Sequence, residues 1–158
     1  MVRFFKVVHF LGLTLFLGSI LTFVVVSSLT KGAGLADLVF GRRLISAGTS
    51  SLTLPGMWLI LVSGIVLTIN GKWFWRHKWL NIKHIVIVVV VLNAHFLVVP
   101  AVASALVLAQ QSLSQGALNP GYDPAYMRES VFGGTNVLLV LFAMVAAIWK
   151  FGERGTQK

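Results

Sequence analysis

The chain contains no cysteine, which removes disulfides, thiolate metal sites and cysteine nucleophiles together. It is also poor in charge: 11% of its 158 residues are Asp, Glu, Lys or Arg, where a soluble domain carries about 25% to hydrate its surface. Acid is scarcer still, with four Asp and Glu against thirteen Lys and Arg. So few charges cannot cover a sphere in water, so the outer surface must meet something apolar. No stretch alternates apolar and polar residues in the manner of a lipid-facing barrel strand. No basic run interleaves with solvent-facing aromatics, as a nucleic-acid surface requires. The net charge of +9 therefore points to anionic headgroups rather than to nucleic acid.

What the chain does have is long apolar runs. A bilayer core takes about 20 apolar residues of helix to cross, and four segments are long enough. They run from Val7 to Thr30, Leu44 to Gly71, Ile82 to about Gln110 (charge-free from Ile85) and Ser130 to Trp149. Backbone in lipid must satisfy its own hydrogen bonds, which a helix does within one segment. The expected fold is all-α, an integral membrane four-helix bundle forming a single domain over residues 1–158. Arg3 and Lys6 before an apolar run resemble a signal peptide, but the run is too long and no A-x-A-like site follows, so a retained first helix is expected.

Nine basic residues (among them Arg3, Lys6, Lys72, Arg76 and Lys83) fall on the side of both termini. Four, namely Lys31, Arg42, Arg43 and Arg128, fall on the other. This imbalance predicts both termini in the cytoplasm, in a bacterial inner membrane. Trp73, Trp75 and Trp79 around the basic second loop read as an interfacial aromatic belt. Lys31 to Arg43 reads as a loop holding a short interfacial helix, or as an early start to the second span. Gln111 to Tyr126, with Asn119-Pro120-Gly121 and Asp123-Pro124, reads as a polar outer loop. Pro55 and Pro100 should bend the second and third helices.

Polar residues within a span are costly, and each is a candidate for function. The candidates are His9, His84, His95, Asn93, Asn136 and Lys83, with Glu129 at the start of the fourth span and no acid deeper. His77 reads as a headgroup-level residue. Spans one and three run in the same direction, which puts His9 and His84 at similar depth. His95, at 100° per residue, returns to within about 20° of His84's face some 16 Å farther along. Imidazoles on facing helices are what haem iron takes as axial ligands. Gly12, one turn after His9, would leave room for a flat macrocycle, and Lys6, Lys83 or Arg76 could pair with propionates. The plain alternative for His9 and His84 is an interfacial ring, and for Gly12, Ser19, Gly64, Gly133 and Gly134 helix packing. Arg128 and Glu129 read as helix-capping or partner-contacting residues.

The run Lys6-Val-Val-His9-Phe-Leu-Gly12, followed by Leu17-Gly18, resembles the K-x-x-H-x-x-G start of helix one in HemJ-type protoporphyrinogen oxidases and CopD-like copper-resistance membrane domains. Thr53-Leu-Pro55-Gly56 leading to Ser63-Gly64 is similar to their second helix, Trp79-Leu-Asn81-Ile-Lys83 to the W-x-H-x-K opening of their third, and Trp149-Lys150 to their close. Asn81 stands where that motif has histidine, and no NE-x-P feature precedes the last helix. The resemblance implies a haem b held between helices with His9 as an axial ligand, Lys83 beside it, and redox chemistry on a porphyrinogen or quinone.

The expected function is thus a haem b-binding membrane protein that transfers electrons or oxidises a hydrophobic substrate. His9 and either His84 or His95 would be the ligands. The alternative is a non-catalytic accessory subunit of a larger respiratory or transport complex; the expected partners are the lipid bilayer and either such a complex or a second copy in a homodimer. Copper handling is less favoured, because methionines are scattered and cysteine is absent.

Overall fold

The computed structural model describes residues 2–71 and 78–149, excluding the side chain of Lys78. Trp73, Trp75, Arg76 and His77, for which the sequence sets expectations, lie outside the described residues. The described residues are all-helical, with α1 at Val2–Thr30, α2 at Leu35–Gly48, α3 at Leu54–Asn70, α4 at Lys78–Asn93, α5 at Val99–Gln115 and α6 at Tyr122–Trp149. Single π-helical turns, Thr49–Thr53 and Ala94–Val98, join α2 to α3 and α4 to α5 without a break. Among the described residues four continuous helices result, each long and apolar enough to cross a membrane. This is a multi-pass membrane protein built as a four-helix bundle.

Each π turn stands immediately before a proline-bearing turn, with Pro55 and Pro100 in the first turn of the next helix. Proline donates no N–H and its ring crowds the carbonyl four residues back, so the regular ladder cannot continue. The wider turn absorbs that crowding, and hydroxyls along this stretch bond back one turn to backbone carbonyls. Thr49 donates to the Ile45 carbonyl at 2.7 Å and Ser51 to that of Ala47 at 2.7 Å.

Two helices start earlier than their apolar runs. The second span begins at Leu35, the early start that the sequence allowed, so Arg42 lies inside a helix. The fourth begins at Tyr122, which places Glu129 two turns into α6. Asp123-Pro124 opens that helix, as proline can where N–H groups are unpaired anyway. Glycine at positive φ marks two of the chain reversals, Gly32 at 90° and Gly116 at 70°.

The bundle is two closely packed pairs. Along α1 and α3 the pairs His9–Ser63, Gly12–Ile60, Phe16–Gly56 and Ser19–Thr53 succeed one another in antiparallel register. A Cβ on Gly12 would lie 2.9 Å from the Gly56 carbonyl oxygen, and one on Gly56 2.8 Å from the Phe16 nitrogen. Small residues let these backbones touch, which is the main attraction available between helices in lipid. In the second pair, α4 and α6, Asn93 Nδ2 donates to Asn136 Oδ1 at 2.7 Å and to the Phe132 carbonyl at 2.9 Å. One apolar cluster (Phe16, Met57, Ile60, Val86, Val90 and Val140) joins the pairs. A second, with Leu38, Val39, Ala105, Ala109, Tyr122 and Ala125, closes the end away from the N-terminus.

Candidate functional site

Three of the expected residues meet. His9 on α1 and Lys83 and His84 on α4 line one cleft between the helix pairs, at the end carrying the N-terminus. Thr68, Gly64 and Ile60 of α3 and Val140 and Met144 of α6 complete its walls. The cleft forms because close packing runs within each pair, α1 with α3 and α4 with α6, while α1 and α4 stand farther apart. Its volume is about 100 Å³.

The imidazoles are oriented from behind. His9 Nδ1 lies 3.0 Å from Ser63 Oγ. The Ser63 hydroxyl donates to the Leu59 carbonyl, so it accepts from His9 and sets the Nδ1–H tautomer. The basic atom of that ring is then Nε2. His84 Nδ1 lies 2.8 Å from the Leu80 carbonyl, an acceptor only, which sets the same tautomer. Its Nε2 is 3.5 Å from Thr68 Oγ1, whose own proton goes to the Gly64 carbonyl at 2.8 Å. Ring N–H groups donated to a hydroxyl or backbone carbonyl are how metal-binding imidazoles are held. Lys83 adds a cation to the cleft, and among the described residues no carboxylate lines it.

His95 and Gly12 are placed elsewhere. His95 stands at the start of the π turn Ala94–Val98 and lines neither this cleft nor the larger cavity at the other end. His95 is exposed on the outside of the bundle, edge-on to Trp58 with centroids 5.8 Å apart. Gly12 is buried against α3 and makes no wall of the cleft, so its space serves helix contact and not a macrocycle. Lys6 is exposed on α1.

A second polar centre stands at the opposite end, where the sequence reading places Arg42 in a loop or an early helix start and Glu129 at a helix start. Arg42 Nη1 donates to Glu129 Oε2 at 2.6 Å and Nη2 to Ser27 Oγ at 3.0 Å, tying α2 to α6 and α1. Its guanidinium packs on the rings of Tyr122 and Tyr126, 5.7 and 5.2 Å from their centroids. The sequence does carry a signal for it: Leu38, Arg42, Ile45 and Thr49 recur at helical spacing and are all buried. Beside this centre, α1 and α6 diverge around a largely apolar cavity of about 520 Å³, reached by Glu129, Tyr126 and Asn136.

Among the described residues no three His, Cys, Asp or Glu side chains gather as a metal site. Comparison of the chain with protein-family models, with curated proteins and with solved structures gives no match.

Proposed function

We propose that this chain is a haem b-binding membrane protein of the inner membrane, with both termini cytoplasmic, in which His9 and His84 would hold the iron. The observation that carries the reading is the convergence of His9, His84 and Lys83 on one cleft, both imidazoles held through Nδ1 with Nε2 as the basic atom. The donor set fits a b-type haem: two neutral imidazoles for iron and one ammonium for a propionate. The cleft of about 100 Å³ is smaller than the roughly 300–1,000 Å³ of enclosed small-molecule sites. Loading therefore requires the two helix pairs to part at this end, where they are least joined. When bound, haem supplies one-electron exchange to a hydrophobic donor such as a porphyrinogen or quinol. Ser63 and Leu80 fix the ring tautomers, Lys83 balances acid charge, and the apolar walls exclude water.

The full chain, expressed with ample haem and purified in detergent, should show a Soret band. His9→Ala and His84→Ala should each abolish or shift it, and His95→Ala should leave it intact. No Soret band in the wild-type chain overturns the reading. The small volume of the cleft favours a second one, an accessory subunit without a cofactor. In that case the chain co-purifies with a larger membrane complex whose activity is unchanged by His9→Ala.

A further inference from the structure

The cavity between α1 and α6 lies at the other end of the bundle: Ser27, on its wall, is about 27 Å farther along α1 than His9 at 1.5 Å per residue. At about 520 Å³ it has the size of a small-molecule site. Its walls are aliphatic and aromatic, with Ile20, Val24, Phe16 and Phe23 on α1 and Val98 and Val102 at and beyond the second π turn. Gly133 and Gly134 keep the α6 side open, since a Cβ on either would meet nothing within 4 Å.

Polar groups are few, and the two that matter stand on one helix. Glu129 offers a carboxylate. Arg42 takes one of its oxygens and balances its charge, so a ligand here need bring no charge. An ionised carboxylate only accepts hydrogen bonds, and its second oxygen keeps that capacity. Two turns on, Asn136 gives its carbonyl oxygen to Asn93, which leaves its amide N–H groups as a donor edge. The aromatic side chains Phe16, Phe23 and Tyr126 suit a ring at this depth.

We propose that this cavity binds a neutral phenol or hydroquinone carrying an apolar chain, with a ring hydroxyl donating to Glu129 and the chain lying along α1. The site is separate from the histidine cleft and does not depend on haem.

The test uses the full chain in detergent micelles with decyl-benzohydroquinone, held reduced, and its dimethyl ether as probes. The hydroquinone should bind saturably, and the ether, which has no hydroxyl to donate, at least tenfold more weakly. Gly134→Leu fills open space, so it should weaken hydroquinone binding at least tenfold with the unfolding temperature kept. Glu129→Gln should reduce the preference for hydroquinone over ether. His9→Ala should change neither probe, which separates this site from the haem reading. Absence of saturable binding, equal binding of the two probes, or binding unaffected by Gly134→Leu overturns the proposal.

Discussion

Arg42 Nη1 and Glu129 Oε2 lie 2.6 Å apart with their side chains 2% and 13% exposed, joining α2 to α6 inside the bundle. A buried ion pair loses much hydration, and breaking one partner strands the other charge, at a cost of about 3–5 kcal/mol. Replacing both by apolar residues removes the penalty together with the attraction. Arg42→Met or Glu129→Leu alone should therefore lower thermal stability in detergent sharply. The double variant should recover most of the loss. A double-variant loss equal to the sum of the two single losses would show that the pair carries no coupling.

The α1–α3 contact and the open face of α1 give opposite expectations at two glycines. Gly12→Ala sets a Cβ 2.9 Å from both Gly56 O and Ile60 N, backbone atoms that cannot swing aside. The helices must separate, and a loss of about 1–3 kcal/mol is expected, as in other overpacked interfaces. At Gly18 a Cβ meets nothing within 4 Å, so Gly18→Ala should be neutral or gain up to about 1 kcal/mol of helix propensity. Thermal unfolding of the two variants side by side decides.

Asn93 joins α4 to α6 through two hydrogen bonds from one amide. Asn93→Leu leaves Asn136, which is buried, with an unmet acceptor. Interhelical hydrogen bonds in membranes are worth about 0.6 kcal/mol on average and up to about 1.7. The expected loss is in the upper half of that range, because Asn93 serves two acceptors. A stability unchanged within error in a chemical or thermal melt would contradict it.

His95 is exposed and packs edge-on against Trp58. His95→Phe should keep the edge-on aromatic contact and leave stability and any absorption spectrum unchanged. His84→Phe should alter the spectrum of a haem-loaded sample. The same spectral change in both variants would mean that the two rings are equivalent, which their placement denies.

Much of the site is legible in the sequence, and the parts that escape it have a common cause. His9 and His84 stand out as imidazoles at equal depth because depth is obtained by counting residues along parallel spans. His95 escapes it because spacing gives a residue's bearing around its own helix and not what stands opposite at its depth, and His95 is exposed there. Gly12 reads as space for a ligand when the space is filled by the backbone of α3; sequence marks a small residue but not what stands opposite. Arg42 is left between a loop and an early helix start because hydropathy sets a span's edge at its last charge. The helix itself continues through Arg42 to Leu35, since a charge that finds a partner can be buried.

Composition and run length alone determined that this chain crosses a membrane as four helices. With so few charges it must face lipid, and in lipid the backbone has to close its own hydrogen bonds. Tertiary structure alone decided which polar groups meet. Arg42 and Glu129 are 87 residues apart, and His9 joins His84 only through the packing of separate helix pairs. Such contacts depend on the rotation and register of each helix against its neighbours. Those are set by Gly12 against Gly56, Ser19 against Thr53 and the two π turns, which no single segment carries by itself.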